Sequence, residues 1–258
     1  MALVEYKAEG GIGYITLNRP EKLNAFSDDV GVAFCESLFQ LYDDSTVQVG
    51  IISGNGRAFC SGADVRQRQL RAKAELEKLS SPAGRGGNFR DPFFKPPVAK
   101  PIIAAVHGYC YGMGVRLALY SDMLVATRDA KFQITETPRG LDSTPFWMML
   151  DALGAGMFAS EVCLTGRSWT GEEAAKHGLL TRMCEPGEHL KAAEALAREV
   201  LKNPPLAVRA VVAVRRSKLH AMDVQAHASG PKGLHLTEDF RESALAFLEK
   251  RKAVFHGR

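Results

Sequence analysis

The sequence predicts an α/β fold in which strands and helices alternate along the chain and pack in layers. Residues 27–43 repeat apolar side chains at helical intervals. The composition, with 46% hydrophobic and 24% charged residues in a chain of 258, is that of a globular protein of enzyme size. Apolar, β-branched runs typical of buried strands occur before that helix, at residues 12–17, and after it, at residues 47–53, 101–106 and 123–126.

The boundaries of the first elements are marked by residues that form turns and caps. Both of the first two predicted strands end in short sequences rich in Asn, Gly or Pro. Ser27 is suited to cap the following helix, and Asp28 and Asp29 lie in its first turn, where carboxylates interact favourably with the helix dipole. Because strand, helix and strand follow one another, we expect parallel strands joined by right-handed crossovers.

Residues 70–100 depart from this alternation. The stretch 80–88 consists of Ser, Gly, Pro, Ala, Arg and Asn and is not expected to form a helix or a strand. Four prolines follow it by residue 101. A segment of this kind inside a compact domain is typically a lid or a binding loop, and we predict an irregular structure for it.

The end of the chain is predicted to be helical. Residues 204–220 and 237–255 are amphipathic, Thr237 is suited to cap the second helix, and residues 230–233 interrupt the two. We therefore expect a core over residues 1–200 and a separate helical region over residues 201–258.

Charge and cysteine content exclude several classes of protein. A formal net charge of +4 without any dense Lys/Arg block argues against nucleic-acid binding. No apolar run approaches the roughly 18 residues of a membrane span, and the first residues lack a signal-peptide pattern. The five cysteines are scattered without a CxxC pair, which argues against a disulfide scaffold and against a zinc ribbon. A cytoplasmic protein without a metal or a membrane partner is therefore expected.

Two glycine-bearing segments are the strongest candidates for a site. Residues 58–64 (AFCSGAD) and residues 107–114 (HGYCYGMG) each follow a predicted strand and precede a predicted helix. Glycine lets backbone approach a ligand closely, and the amides at a helix N-terminus carry partial positive charge. Two such segments facing one pocket would present two N–H groups to a developing oxyanion. Neither segment fits a phosphate-binding Walker loop or a dinucleotide fingerprint.

These segments and others resemble the motifs of the enoyl-CoA hydratase/isomerase (crotonase) superfamily. AFCSGAD is similar to the family's F-x-x-G-A-D loop, and KPIIAAVHGY followed by GMG is similar to its K-P-x-I-A-A-V-x-G-x-x-x-G-G-G segment. The pieces occur in the family's order and spacing over nearly the whole chain. Four further pieces resemble the family: YITLNRPEKLNA at 14–25, LTG at 164–166, AAKHGL at 174–179 and FLEKRKAVF at 247–255.

The resemblance implies a fold, an assembly and a chemistry. The fold is a spiral of ββα units with a C-terminal helical region that forms trimers, often paired into hexamers. The chemistry is that of acyl-CoA thioesters, with coenzyme A carried by the substrate and no other cofactor. The family's oxyanion-hole amides fall on Ala63 and Met113. Its CoA contacts fall on Ala63 and six further residues: Lys22, Leu23, Asp64, Val65, Arg66 and Lys250.

The acid/base positions depart from the family pattern. Hydratases of this family use two glutamates, and here the first position is Arg116 and the second is Glu136. The proline that usually precedes the second glutamate is Thr135, and residues 141–147 (LDSTPFW) replace a glycine-rich turn. Since an arginine stays protonated near neutral pH, the resemblance implies Glu136 as the single general acid/base. A single carboxylate suits double-bond isomerisation or an atypical hydration, whereas the family's usual hydration uses a pair of glutamates.

Alternatives stay open at this stage. The Arg116 side chain can pack on the pocket wall, pair with Glu136 or Asp142, or bind a carboxylate at the end of an acyl chain. Asp142, in the rebuilt turn, is a candidate acid for C–C or thioester hydrolysis. A catalytically inactive acyl-CoA binder is the other alternative. His107 and Tyr111, which flank the second glycine segment, are expected to pack rather than react.

Overall fold

In the computed structural model, which describes residues 2–79 and 90–258, the strands form two sheets. In chain order they are β1 (Val4–Glu9), β2 (Ile12–Leu17), β3 (Val49–Gly54), β4 (Ala58–Cys60), β5 (Ile102–Val106), β6 (Tyr109–Tyr111), β7 (Met123–Thr127), β8 (Lys131–Gln133), β9 (Ser168–Thr170) and β10 (Arg182–Cys184). The larger sheet has the order β1–β2–β3–β5–β7–β10, and the smaller has the order β4–β6–β8–β9. Strand β1 pairs antiparallel with β2, and β9 pairs antiparallel with β8, whereas the other pairings between these strands are parallel.

Helices connect and cover these strands. Three short 3-10 turns accompany them, at Pro20–Lys22, Thr137–Arg139 and Leu234–Leu236. In the described part of the chain the α-helices are α1 (Asp28–Asp43), α2 (Val65–Arg68), α3 (Lys73–Leu79), α4 (Arg90–Phe94), α5 (Met113–Tyr120), α6 (Thr144–Ala152), α7 (Gly156–Thr165), α8 (Gly171–Lys176), α9 (His189–Leu201), α10 (Pro205–Ser229) and α11 (Glu238–Glu249).

The chain repeats one structural unit along the two sheets. From β3 onward, one strand enters the large sheet and the next enters the small sheet, which gives the pairs β3–β4, β5–β6 and β7–β8. Helical segments follow each pair before the chain returns to the large sheet. The alternation of strands and helices predicted from the sequence is confirmed, and the ββα repeat is the form that it takes.

Alternating side chains of the large sheet supply two parts of the core. Ile51 and Ile103 pack with α9, whereas the neighbouring Ile52 and Ala104 belong to the main cluster on the other face. This follows from the two-residue period of a strand, which sends successive side chains to opposite faces. The predicted start of α1 is confirmed as well, because the Ser27 Oγ accepts a hydrogen bond from the Val30 N–H at 3.3 Å.

The expectation of an irregular segment over residues 70–100 is wrong for its two ends. Helix α3 forms there, and the Arg71 guanidinium pairs with Glu75 at 2.8 Å, which is an i,i+4 contact that favours helix. Helix α4 forms shortly before β5. The stretch 80–88, on which the expectation rested, lies outside the described residues.

Both predicted C-terminal helices are present with different ends. Helix α10 continues to Ser229 rather than residue 220, because Asp223 and Ala226 extend the buried stripe of the helix at the same three- to four-residue spacing. Helix α11 ends at Glu249 rather than residue 255, since Lys250 takes a left-handed conformation with φ of 55°.

The C-terminal helices pack on the core of their own chain. The buried Arg216 of α10 pairs with Asp122 and donates a hydrogen bond to the Lys100 carbonyl at 2.7 Å. Ser243 of α11 donates to the Arg139 carbonyl at 3.1 Å. No helix in the described part of the chain is long and apolar enough to cross a membrane. Nor do the described residues place three or more His, Cys, Asp or Glu side chains together as a metal site.

Candidate active site

Three candidate groups follow three adjacent parallel strands. Strands β4, β6 and β8 are neighbours in the small sheet. Ala63 comes three residues after β4, Met113 two residues after β6, and Glu136 three residues after β8. Because the carboxyl ends of parallel strands meet at one edge of a sheet, the topology brings these three residues together.

The backbone amides of Ala63 and Met113 lie near each other. Phe26 donates its N–H to the Gly62 carbonyl at 2.8 Å and accepts from the Asp64 N–H at 3.1 Å, so the Ala63 N–H points away from Phe26. The Met113 N–H lies in the first turn of α5, where no intrahelical acceptor exists. A Cβ on Gly62 would lie 4.0 Å from the Met113 nitrogen. Within residues 2–79 and 90–258, neither amide donates a hydrogen bond to a backbone carbonyl.

Glycines are required where the two segments approach each other. Gly62 and Gly112 have φ of 100° and 45°, which side chains rarely tolerate. A Cβ on Gly114 would lie 2.5 Å from the Cys60 carbonyl oxygen, so the start of α5 touches the end of β4. Met113 has no such restriction, and its partly buried side chain packs against the core. The family's middle glycine can therefore be replaced here without loss of the N–H.

Glu136 places its carboxylate beside the start of α5. Its Oε1 and Oε2 lie 3.4 Å and 3.7 Å from the position of a Cβ on Gly112, the residue before Met113. The Oε2 atom is buried and has no hydrogen-bond partner among the described residues. Burial raises the pKa of Glu136 above its ordinary value, and the positive charge of Arg116 opposes that rise. A buried carboxylate with a raised pKa and an unoccupied lone pair is suited to take and return a proton.

Arg116 lies at the same end of α5 but forms no close ion pair. Its guanidinium stacks over the Phe146 ring at 4.7 Å from the ring centroid. It makes no ion pair within 4.0 Å of Glu136 or Asp142, so the pairing considered from the sequence is not what the structure shows. Burial by itself lowers the pKa of Arg116, but attraction to Tyr120 and Glu136 outweighs burial, and the net direction is upward. The side chain therefore stays charged.

Asp142 serves as a local cap rather than a free acid. Its carboxylate accepts hydrogen bonds from the N–H of Thr144, at 2.9 Å, and from the Thr144 hydroxyl at the start of α6. The other carboxylate oxygen faces Gly230, just beyond the end of α10. This arrangement gives no support to Asp142 as a relocated catalytic acid.

Lys22 and Leu23 lie directly against the first glycine segment. Ser61 donates its N–H to the Leu23 carbonyl at 3.0 Å and its hydroxyl to the Lys22 carbonyl at 3.4 Å. Sequence reasoning did not single out Asn24, which fixes this contact: its buried side chain donates to the Ala58 carbonyl at 2.7 Å. Asn24 has a left-handed backbone, with φ of 55°. Asn adopts that conformation more readily than most residues, and this preference is the signal in the sequence that could have identified it.

The other candidate CoA contacts have distinct surroundings. Asp64 caps α2 by accepting from the Gln67 N–H at 3.2 Å, and its carboxylate pairs with Arg19 at 2.9 Å. Val65 is half-buried and Arg66 is exposed. These residues directly follow Ala63 in the chain.

Lys250 is not brought to the first glycine segment by the described contacts. It is exposed at the C-terminal end of α11, a helix that packs on the 3-10 turns at Thr137–Arg139 and Leu234–Leu236. Its ammonium group makes no ion pair with a described residue.

His107 and Tyr111 pack as expected. The His107 Nε2 donates to the Gly56 carbonyl at 2.9 Å, and its ring stacks on His189 at 4.1 Å. The Tyr111 ring contacts Tyr109 edge-on at 5.5 Å.

Comparisons with known proteins identify the family. A family model described as enoyl-CoA hydratase/isomerase matches residues 7–258. The 1,2-epoxyphenylacetyl-CoA isomerase of Escherichia coli strain K12 is 29% identical over the full length of both chains. A carnitinyl-CoA dehydratase of Salmonella typhi is 33% identical over 96% of each chain. A probable peroxisomal enoyl-CoA hydratase of Arabidopsis thaliana is 37% identical over 78% of this chain and 74% of its own.

Solved structures show the same fold. An enoyl-CoA hydratase/isomerase from Mycobacterium paratuberculosis superposes with a TM-score of 0.82 at 27% identity, covering 95% of this chain and 98% of its own. An enoyl-CoA hydratase from Mycobacterium tuberculosis H37Rv superposes with a TM-score of 0.71 at 31% identity, covering both chains completely. The chain therefore has the crotonase fold and belongs to the enoyl-CoA hydratase/isomerase family of acyl-CoA-processing enzymes.

Proposed function

We propose that this protein isomerises the double bond of an enoyl-CoA, with Glu136 as the only general acid/base. The observation that carries the proposal is the position of one unpartnered carboxylate oxygen beside Gly112, the residue before Met113, with Arg116 in place of the family's other glutamate. Moving a double bond needs one base that takes a proton from one carbon and returns it to another. Hydration needs a second group to activate water.

The mechanism uses backbone and side chain for different steps. The thioester oxygen accepts hydrogen bonds from the N–H groups of Ala63 and Met113. Glu136 removes a proton from the α or γ carbon, the C–H electrons move into the thioester to form an enolate, and the amides stabilise the charge on its oxygen. The enolate collapses as Glu136 returns the proton to the other carbon. Burial favours the neutral form of Glu136, which helps it to hold the proton between the two transfers.

Coenzyme A binds at the first glycine segment in this proposal. Lys22, Leu23, Val65 and Arg66 supply side chains around the opening beside Ala63. Because the Asp64 carboxylate is held by Arg19, Asp64 contributes through its backbone. The exposed Lys250 reaches the nucleotide phosphates of a CoA bound to a neighbouring copy. No cofactor beyond the CoA moiety of the substrate is involved.

The helical region over residues 201–258 joins copies into a trimer or hexamer in this proposal. Leu206, Val211 and Val214 of α10 are 75%, 70% and 73% exposed, a concentration of apolar side chains that supports an interface. Sedimentation should give the mass of a trimer or hexamer, and Val211→Asp with Val214→Asp should lower it. A stable monomer at micromolar concentration would refute this assembly.

The experiment that tests the proposed reaction is turnover of a panel of enoyl-CoA substrates by the parent protein and Glu136→Gln. The parent should isomerise a 3-enoyl-CoA and exchange its α or γ protons with D₂O. Glu136→Gln should lose about 10²- to 10⁴-fold in rate while binding acyl-CoA as before, since a general acid/base typically contributes that much. Fast hydration of crotonyl-CoA by the parent, or binding without any turnover, would contradict the proposal.

A further inference from the structure

Arg116 is a charged side chain beside the candidate site that the proposed reaction does not use. Its N–H donates to the Gly112 carbonyl at 3.0 Å, so Arg116 lies one helical turn after Gly112 on the same side of α5. Side chains on a helix slant toward its N-terminus, which directs the stem of Arg116 toward the Gly112 turn. The Glu136 carboxylate lies over that same turn, 3.4 Å from the position of a Cβ on Gly112.

Acidic groups from several elements surround Arg116. Tyr120 of α5, Glu136 after β8, Asp142 before α6 and Asp223 of α10 all attract it. The Asp142 carboxylate is occupied by Thr144.

The remaining titratable neighbours do not supply a competing cation at Glu136. Asp223 accepts from the Tyr120 hydroxyl at 2.8 Å and lies 3.6 Å from His227, which is on the outer side of α10. Cys163 of α7 faces Glu136, but burial raises the pKa of its thiol to about 12, so it is neutral. Among the described groups that act on Glu136, Arg116 is the cation.

We propose that Arg116 is a positioning residue whose charge favours the ionised form of Glu136 against the effect of burial while leaving the Oε2 atom free for the substrate. This inference rests on the proposed function, because it assigns the ionised state to the base of that reaction.

The separation between the two side chains supports this role over two others. A direct ion pair would occupy the lone pairs of Glu136 and make it a weaker base, but no ion pair within 4.0 Å forms and Oε2 has no partner. Binding of an acyl carboxylate would place another negative charge among Glu136, Asp142 and Asp223. A charge that acts on Glu136 without pairing with it, held over the Phe146 ring, satisfies both constraints.

The inference is tested by titrating the Glu136 carboxyl carbon directly. ¹³C NMR of the full-length, ligand-free protein with labelled Glu, assigned with Glu136→Gln, gives the titration without any turnover. Arg116→Met should move the Glu136 titration upward by at least about one pH unit, the usual effect of losing a nearby opposite charge. Arg116→Lys should restore most of the difference. The acidic limb of the kcat/KM profile should move upward by the same amount.

Arg139→Met is the matched control. Arg139 lies three residues after Glu136, but its guanidinium stacks over Phe247 at 3.9 Å and donates to the Ser243 carbonyl. The Arg139→Met variant should leave the pH at which Glu136 titrates unchanged. Circular dichroism checks that each variant is folded, and Arg116→Gln replaces Arg116→Met if the latter does not fold.

Failure of this inference differs from failure of the proposed function. If Glu136→Gln is inactive but Arg116→Met titrates like the parent, the positioning role is overturned alone. If Glu136→Gln stays fully active, the proposed function is overturned, and the inference with it. A loss of affinity for dicarboxylyl-CoA in Arg116→Met, without a change in titration, assigns Arg116 to substrate binding and also overturns the inference.

Discussion

The candidate active site has one half made of backbone and one half made of side chains. In the first half, the N–H groups of Ala63 and Met113 are positioned by glycine turns at the ends of β4 and β6. In the second half, Glu136 and Arg116 lie beside the start of α5, and the charge of Arg116 acts on Glu136. Any residue except proline supplies an N–H, so positions 63 and 113 accept other side chains, whereas the glycines around them do not. In the proposed mechanism the second half depends on its two side chains.

The largest expected effect concerns Glu136 of the side-chain half and distinguishes it from the Asp142 carboxylate. Glu136→Gln should lower turnover by about a thousandfold, because the proton shuttle is removed. Asp142→Asn should leave both turnover and thermal stability near the parent values, since the amide oxygen that replaces a carboxylate oxygen can still accept the Thr144 N–H. Steady-state rates and thermal unfolding of both variants make the comparison. Equal loss of rate in the two variants would make Asp142 a second acid/base group.

In the backbone half, loss of an N–H should lower the catalytic rate, whereas loss of a side chain should not. Ala63→Pro removes one donor and should cost about a hundredfold in rate, with an added contribution from backbone distortion. Met113→Ala keeps its N–H and should change kcat little. Single-turnover rates measure both effects. A near-normal rate for Ala63→Pro would count heavily against the oxyanion hole.

The junction between the two halves is Gly112. A Cβ there would lie 2.5 Å from the Thr135 Oγ1 and 3.4 Å from the Glu136 Oε1. Gly112→Ala should displace Glu136 and lower the rate by roughly tenfold to a hundredfold, as misplacement of a catalytic group does. Gly178→Ala is the control, because its φ of 70° imposes a similar strain but its Cβ would meet nothing within 4 Å. Similar rates in both variants would show that Gly112 does not position Glu136.

The difference between the halves also explains what could be predicted from the sequence. The segments AFCSGAD and HGYCYGMG identify the backbone half, because both contain glycines where the ends of neighbouring strands approach too closely for a side chain. The position of Glu136 follows from the same regularity at the end of β8. The surroundings of the Arg116 side chain depend on α6 and α10, which are distant in sequence. Its stacking on Phe146 therefore had no local signal.

The helix boundaries show the same contrast between local contacts, which the sequence predicts, and tertiary contacts, which it does not. Ser27 and Thr237 were identifiable as caps, since the capping hydrogen bonds are local. The extension of α10 beyond residue 220 depends on burial of Asp223 against Tyr120 of the core, which is a tertiary contact. Periodicity within a short window does not contain that information.

The smallest expected effect concerns stability against pH. Because burial raises the pKa of Glu136 in the folded state, folding favours its protonated form. That contribution is fully present below the ordinary pKa of a glutamate and is lost as the pH rises through the folded-state pKa. Glu136→Gln avoids the loss and should raise Tm more at pH 8 than at pH 4. Equal shifts at both pH values would contradict the raised pKa.

In the proposed mechanism, two backbone amides hold the thioester oxygen beside one carboxylate. A crystal structure with a non-reactive acyl-CoA analogue shows whether they do. We expect a carbonyl oxygen at about 3 Å from the nitrogens of both Ala63 and Met113, with a Glu136 oxygen next to the acyl α or γ carbon. A carbonyl oxygen distant from both amides, in a fully occupied complex, would contradict it.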